Sequence, residues 1–234
     1  MKLSIPDTLT FNGGYVDTAG YLALQGLFTA HVTGNFVTLG ATLVHGSSGA
    51  EAKLLALPVF CVMIAAVRVF SRRMLPGGNG ALNALVGLKI ALFAAAAALT
   101  LALGPFADSD APAALATGML LVAGMAIQNA VHRIFFGKFP PTTLMTGSTT
   151  QIMMDLADLA FGNLTPEARA AARTRCNGLL RSVCVFALGS AIAALIYTWR
   201  ETAVFILPPL VAAVALLLPH GEPGTPAPAA ARGP

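Results

Sequence analysis

From Leu9 to Leu218 this chain is a succession of eight apolar runs parted by short polar breaks, and that pattern confines it to folds that live in a bilayer. The runs are Leu9–Phe28, Thr33–Val44, Leu54–Phe70, Ala81–Leu103, Ala113–Phe136, Thr142–Phe161, Leu179–Trp199 and Ala203–Leu218. A helix needs about 20 predominantly apolar residues to cross the hydrocarbon core. A transmembrane β-barrel would instead show short alternating segments, which are absent here. Only 10% of the residues are charged, against about 25% in soluble domains, and the mean hydropathy is +0.74. The expected fold is an all-α, polytopic membrane protein whose first partner is the lipid bilayer. The net charge of +4 gathers in a few connecting stretches and does not indicate nucleic acid.

Two of the runs are poor spans. Thr33–Val44 is short, and Thr142–Phe161 carries Gln151, Asp155 and Asp158. The basic residues choose between two courses for them. If all eight runs crossed from an inner N-terminus, Lys2, Lys53, Arg169, Arg173, Arg175 and Arg232 would lie inside and Arg72, Arg73, Arg133, Lys138 and Arg200 outside, six against five. If the two poor runs dip in and return, Arg72, Arg73, Arg133 and Lys138 move inside and Lys53 moves outside, giving nine against two. The second arrangement obeys the positive-inside rule. It predicts six full transmembrane helices plus two short re-entrant or half-helix segments, with both termini cytoplasmic.

The chain also repeats itself. Thr29, Thr33 and Gly34 return as Thr142, Thr146 and Gly147 at a constant offset of 113. Glu51-Ala52-Lys53 matches Glu167-Ala168-Arg169, and Pro105 matches Pro219. This predicts two membrane repeats, 1–110 and 111–218, followed by a Pro/Ala/Gly-rich tail, 219–234, whose composition favours disorder. Three spans per half is an odd number, so the halves are expected in inverted topology.

Irregular backbone at membrane depth persists only where it is buried in protein or lines a wet cavity. Thr33-Gly34-Asn35 and Thr146-Gly147-Ser148 are therefore expected to be N-termini of half-helices facing each other near the midplane, with Asn35 and Ser148 as N-caps. Gly34 and Gly147 are expected to tolerate alanine poorly. Asp17 lies near mid-depth of the first run, where a carboxylate is costly and a functional candidate. Gln128 and Asn129 occupy the matching place in the second half. Lys89 is the expected ion-pair partner of Asp17, and Asp155 is a further coupling candidate. His31 and His132 stand near membrane boundaries, where a proton-relay role competes with a plain interfacial one.

The three cysteines, Cys61, Cys176 and Cys184, have no metal or disulfide spacing. No phosphate-binding loop, dinucleotide fingerprint or hydrolase elbow is present, so neither a cofactor nor an enzyme activity is expected. At Gly14-Tyr15-Val16-Asp17, Gly26-Leu27-Phe28-Thr29-Ala30-His31-Val32-Thr33-Gly34-Asn35, Gln128-Asn129-Ala130 and Thr146-Gly147, the chain resembles the YoaK-like family of uncharacterised bacterial membrane proteins. The resemblance implies a multi-pass protein of the bacterial inner membrane and brings no substrate. The residues themselves favour a small-solute secondary transporter or channel, with Asp17, Thr33, Gly34, Asn35, Gln128, Asn129, Thr146, Gly147 and Ser148 lining a site between the repeats. The alternative is a non-transporting module that assembles with or regulates another protein. A homo-oligomer is compatible with either.

Overall fold

A computed structural model of the chain describes residues 3–46, 49–74 and 80–218. The expected disordered tail, 219–234, lies outside the described residues. Among those, the chain forms eight α-helices and no strand: α1 (Ile5–Ala23), α2 (Gly34–His45), α3 (Ala50–Met74), α4 (Gly80–Leu103), α5 (Pro112–Phe135), α6 (Met145–Phe161), α7 (Pro166–Trp199) and α8 (Leu207–Leu217). A 3-10 turn, Glu201–Ala203, precedes α8.

Local chemistry sets the helix ends. Ser4 caps α1 by accepting the N–H of Asp7, whose carboxylate returns the bond to the N–H of Ser4. Asp7 also accepts from Arg181 of α7, at 2.6 Å. The helix stops at Leu24 because Gln25 (φ 48°) and Gly26 (φ 85°) turn left-handed, a conformation glycine adopts without a steric penalty. The first run therefore ends earlier than Phe28, the boundary expected from its apolar residues. Thr165 and Pro166 begin α7, well before the expected Leu179, because the basic stretch ahead of the apolar run is helical too.

Four helices, α3, α4, α5 and α7, are long and apolar enough to cross a membrane. Two of the six expected spans differ. Helix α1 has 19 residues but carries Thr8, Thr10, Asn12 and Asp17, all buried. It packs on α5, α7 and α8, so these polar groups face protein rather than lipid. Helix α8 has only 11 residues. Helices α2 and α6 are short, as expected, and pack chiefly on α3 and α7 respectively. Apolar side chains such as Val37, Leu43 and Val44 on α2 remain exposed, as a lipid-facing surface requires.

Two apolar clusters mark the two ends of the bundle. One joins Ile5 at the start of α1 and Leu82 at the start of α4 with Val67, Val131 and Ala215 near the ends of α3, α5 and α8. The other joins Ala19 late in α1, Ala97 late in α4 and Ala193 late in α7 with Ala52 and Ala114 at the starts of α3 and α5. Helices α1, α4 and α7 thus run one way and α3, α5 and α8 the other. Helix α1 packs most closely on α7, while α3 packs on α5, so the two halves of the chain interlock. At the α1–α7 crossing a Cβ on Gly14 would collide with the carbonyl of Phe186, and one on Gly189 with that of Phe11. Ser190 adds a hydrogen bond to the carbonyl of Gly14, at 3.1 Å.

Candidate functional site: two links folded back on inner helices

The link between α1 and α2 reverses at Gln25–Gly26 and descends beside the last turns of α1. Asp17 is the group that receives it. Its Oδ1 accepts the backbone N–H of Thr29 at 2.8 Å and of Ala30 at 2.7 Å, and its Oδ2 meets Nδ1 of His31. The Thr29 hydroxyl donates to Oδ1 as well, at 3.3 Å. A buried carboxylate is tolerated when paired and hydrogen-bonded, and here both conditions hold. Asn35 closes the link from the other side: its Oδ1 accepts the N–H of Phe28 and its Nδ2 donates to the same residue's carbonyl, each at 2.8 Å. Asn35 is therefore a clasp inside the first turn of α2 and not its N-cap. Thr33 holds the cap position without a side-chain cap bond.

The second link, between α5 and α6, does the same with neutral groups. Pro140 and Pro141 keep it out of helix. Thr143 donates through its hydroxyl to Oδ1 of Asn129 at 2.8 Å, and Ser182 of α7 donates to the carbonyl of Pro141 at 3.1 Å. Asn129 stands six residues before the end of α5, as Asp17 stands six before the end of α1. Each link is seated on the opposite inner helix at a glycine. Gly118 of α5 leaves room for Leu27, and Gly13 of α1 for the carbonyl of Thr142. Helix α6 begins at Met145 with Leu144 as its cap residue, so Ser148 is not the N-cap; its hydroxyl is buried without a partner among the described residues.

Asp17 and Lys89, expected as an ion pair, are not one. The Nζ of Lys89 donates to Oε1 of Gln128 and lies 5.3 Å from the centre of the Phe93 ring. The Nε2 of Gln128 donates in turn to the carbonyl of Leu9, at 2.7 Å. Helix α4 packs on α5 and α8, and Gln128 connects its Lys89 to α1. Lys89 is 1% exposed and Gln128 0%, which makes this chain of bonds part of the sealed interior. Asp155 accepts two bonds from Arg175 and one from Gln151. It corresponds to Thr42 in the first half, which accepts from Lys53 at 2.9 Å. In both places a basic side chain of the following long helix holds the short one.

The expected site residues do not converge on one cavity. Asp17, Thr33 and Gly34 line a concavity of about 560 Å³ together with Tyr21, Phe28 and His31. Thr146 lines a second and more open one, formed by α6 alone with Thr149, Thr150 and Met153 among its residues. Gly147 is exposed, with nothing near the place a Cβ would occupy, so the expectation that it rejects alanine is corrected. Gln128 lies in the sealed interior and Asn129 holds the second link. The aromatic walls of the first concavity, including Phe186 of α7, carried no sequence signal, since they meet only after the link reverses.

These features define an all-helical protein of membrane type, in which two non-helical links fold back onto two inner helices. Within that class the chain belongs to the family described as "Protein of unknown function (DUF1275)", which it matches over residues 8–218. No curated protein and no solved structure matches it.

Proposed function

We propose that this chain is a small-solute secondary transporter or channel and not an enzyme, with its solute site at the first link. The observation that carries this is the Asp17–His31 pair: an ionisable couple that joins α1 to irregular backbone, beside a concavity, in a chain otherwise built for lipid. Transporters commonly place broken segments of this kind at the solute site. In this reading six helices cross the membrane, with α1 shielded by its neighbours and α8 extended by the 3-10 turn. Residues 1–110 and 111–218 are inverted repeats, supported by the opposed directions of α1 and α5 and by the matched links. The nine-to-two basic count makes the Arg72, Arg133 and Lys138 end cytoplasmic. The YoaK-like motifs favour the bacterial inner membrane.

Reconstitution tests it. Proteoliposomes holding a trapped pH-sensitive dye are challenged with gradients of small organic acids, amines and neutral solutes. At least one gradient should move protons through the parent protein and not through Asp17→Asn. Vesicles as tight as protein-free ones toward the whole panel remove the reading.

A second reading, a non-transporting module, rests on one observation: the face of α6 bearing Thr149, Thr150, Met153 and Met154 is exposed and offers a surface for another chain or a second copy.

A further inference from the structure

The concavity beside the first link has a restricted chemistry. Its walls are aromatic: the rings of Tyr21 and Phe28 lie 5.0 Å apart, and Phe28 and Phe186 each stand edge-on to the His31 ring at 6.1 Å. Asp17 lies at the edge of this space, but its oxygens are already engaged by the backbone N–H groups of Thr29, Ala30 and His31 and by Nδ1 of His31. An incoming cation could lie on the aromatic faces but would have to compete with His31 for Asp17. Nε2 of His31 makes no hydrogen bond among the described residues, and the hydroxyls of Thr18, Tyr21 and Thr33 line the same space. Contact with a carboxylate fixes the proton on Nδ1 and favours the doubly protonated ring, whose Nε2–H is a charge-assisted donor.

We propose that this concavity binds a carboxylate carried on a compact apolar body, with the carboxylate on Nε2 of His31 and the body between Tyr21, Phe28 and Phe186. The volume of about 560 Å³ falls among sites for small organic ligands, about 300–1,000 Å³. Such a ligand comes from two sources: a soluble aromatic or aliphatic acid, or a free fatty acid entering from the bilayer. The inference rests on the site named above as the solute site, though not on the protein's moving what it binds.

The test is a ligand-observed NMR titration of the full chain in dodecyl maltoside with benzoate, benzylamine and oleate. Benzoate should bind at least roughly tenfold more tightly than benzylamine, and His31→Gln should weaken it by roughly the same factor, as expected for one charge-assisted hydrogen bond. Thr18→Phe fills the concavity while leaving the Asp17–His31 pair intact, and should abolish binding even if His31→Gln fails to fold. Displacement of benzoate by oleate assigns the site to a membrane-derived acid, and benzoate binding that oleate does not affect assigns it to a soluble one; both support the proposal. Benzylamine binding as tightly as benzoate overturns it, as does benzoate binding that survives Thr18→Phe, or no binding of either acid. Acid binding without flux in the proteoliposomes removes the transport reading alone. Flux of another solute without acid binding removes this inference alone.

Discussion

The two fold-back links share a path and differ in charge. Each leaves an inner helix, reverses, and is caught by a side chain six residues before that helix ends. In the first link the catch is a carboxylate holding three backbone N–H groups, a threonine hydroxyl and an imidazole. In the second it is an amide holding one threonine hydroxyl. The shape therefore does not require the charge: Asn129 shows that a neutral group suffices to hold such a link. A buried carboxylate costs more than an amide in this setting, and the solute site proposed at the first link would account for that cost.

Substitutions can break this comparison. The largest effect is expected from Asp17→Ala, which strands two buried N–H groups at about 1–3 kcal/mol each and frees His31, for a total loss of about 3–5 kcal/mol. Thermal melting in detergent reads this directly; a melt equal to the parent's would mean the carboxylate does not hold the link. Next comes Asn129→Asp, which makes the second catch a carboxylate without supplying an imidazole. It should cost about 2.5–3.5 kcal/mol, and a neutral result would show that charge is tolerated equally at both places. Asn129→Ala removes one hydrogen bond, and its melting point should fall by the equivalent of about 1 kcal/mol. The smallest effect separates the two glycines. Gly147→Ala adds a methyl group in open space within a helix and should raise stability by about 0.4–1 kcal/mol. A Cβ on Gly34 lies 3.0 Å from the Phe28 ring, so Gly34→Ala should instead lower it. Equal shifts of one sign would erase the distinction.

Much of the helix plan was legible because apolar run lengths translate directly into helices in a bilayer. The starts and ends of α3, α4 and α5 lie within a few residues of their runs, and the weakness of runs two and six exposed α2 and α6. Where a run was bounded by backbone geometry the reading slipped: Leu27 and Phe28 are apolar, yet Gln25–Gly26 had already ended α1. The mid-depth argument singled out Asp17 but gave it the wrong partner: it holds the first link and His31 rather than Lys89. Depth along two helices says nothing of which faces meet, and Gln128 stands where the pairing with Lys89 required contact. His31 is 14 residues from Asp17 in sequence, and only the left-handed reversal brings it alongside.

The Lys89–Gln128 bond also sets an order of events during synthesis. Gln128 emerges 39 residues after Lys89, so α4 is made before the acceptor of its lysine exists. An unpaired lysine at the centre of a helix costs about 2.5–3.5 kcal/mol on insertion scales. Until α5 arrives, α4 is thus a reluctant membrane segment, best kept at the mouth of the insertion machinery or with its amine drawn to the surface. Packing of α5 on α4 then supplies the Lys89 amine with the acceptor it has in the folded chain.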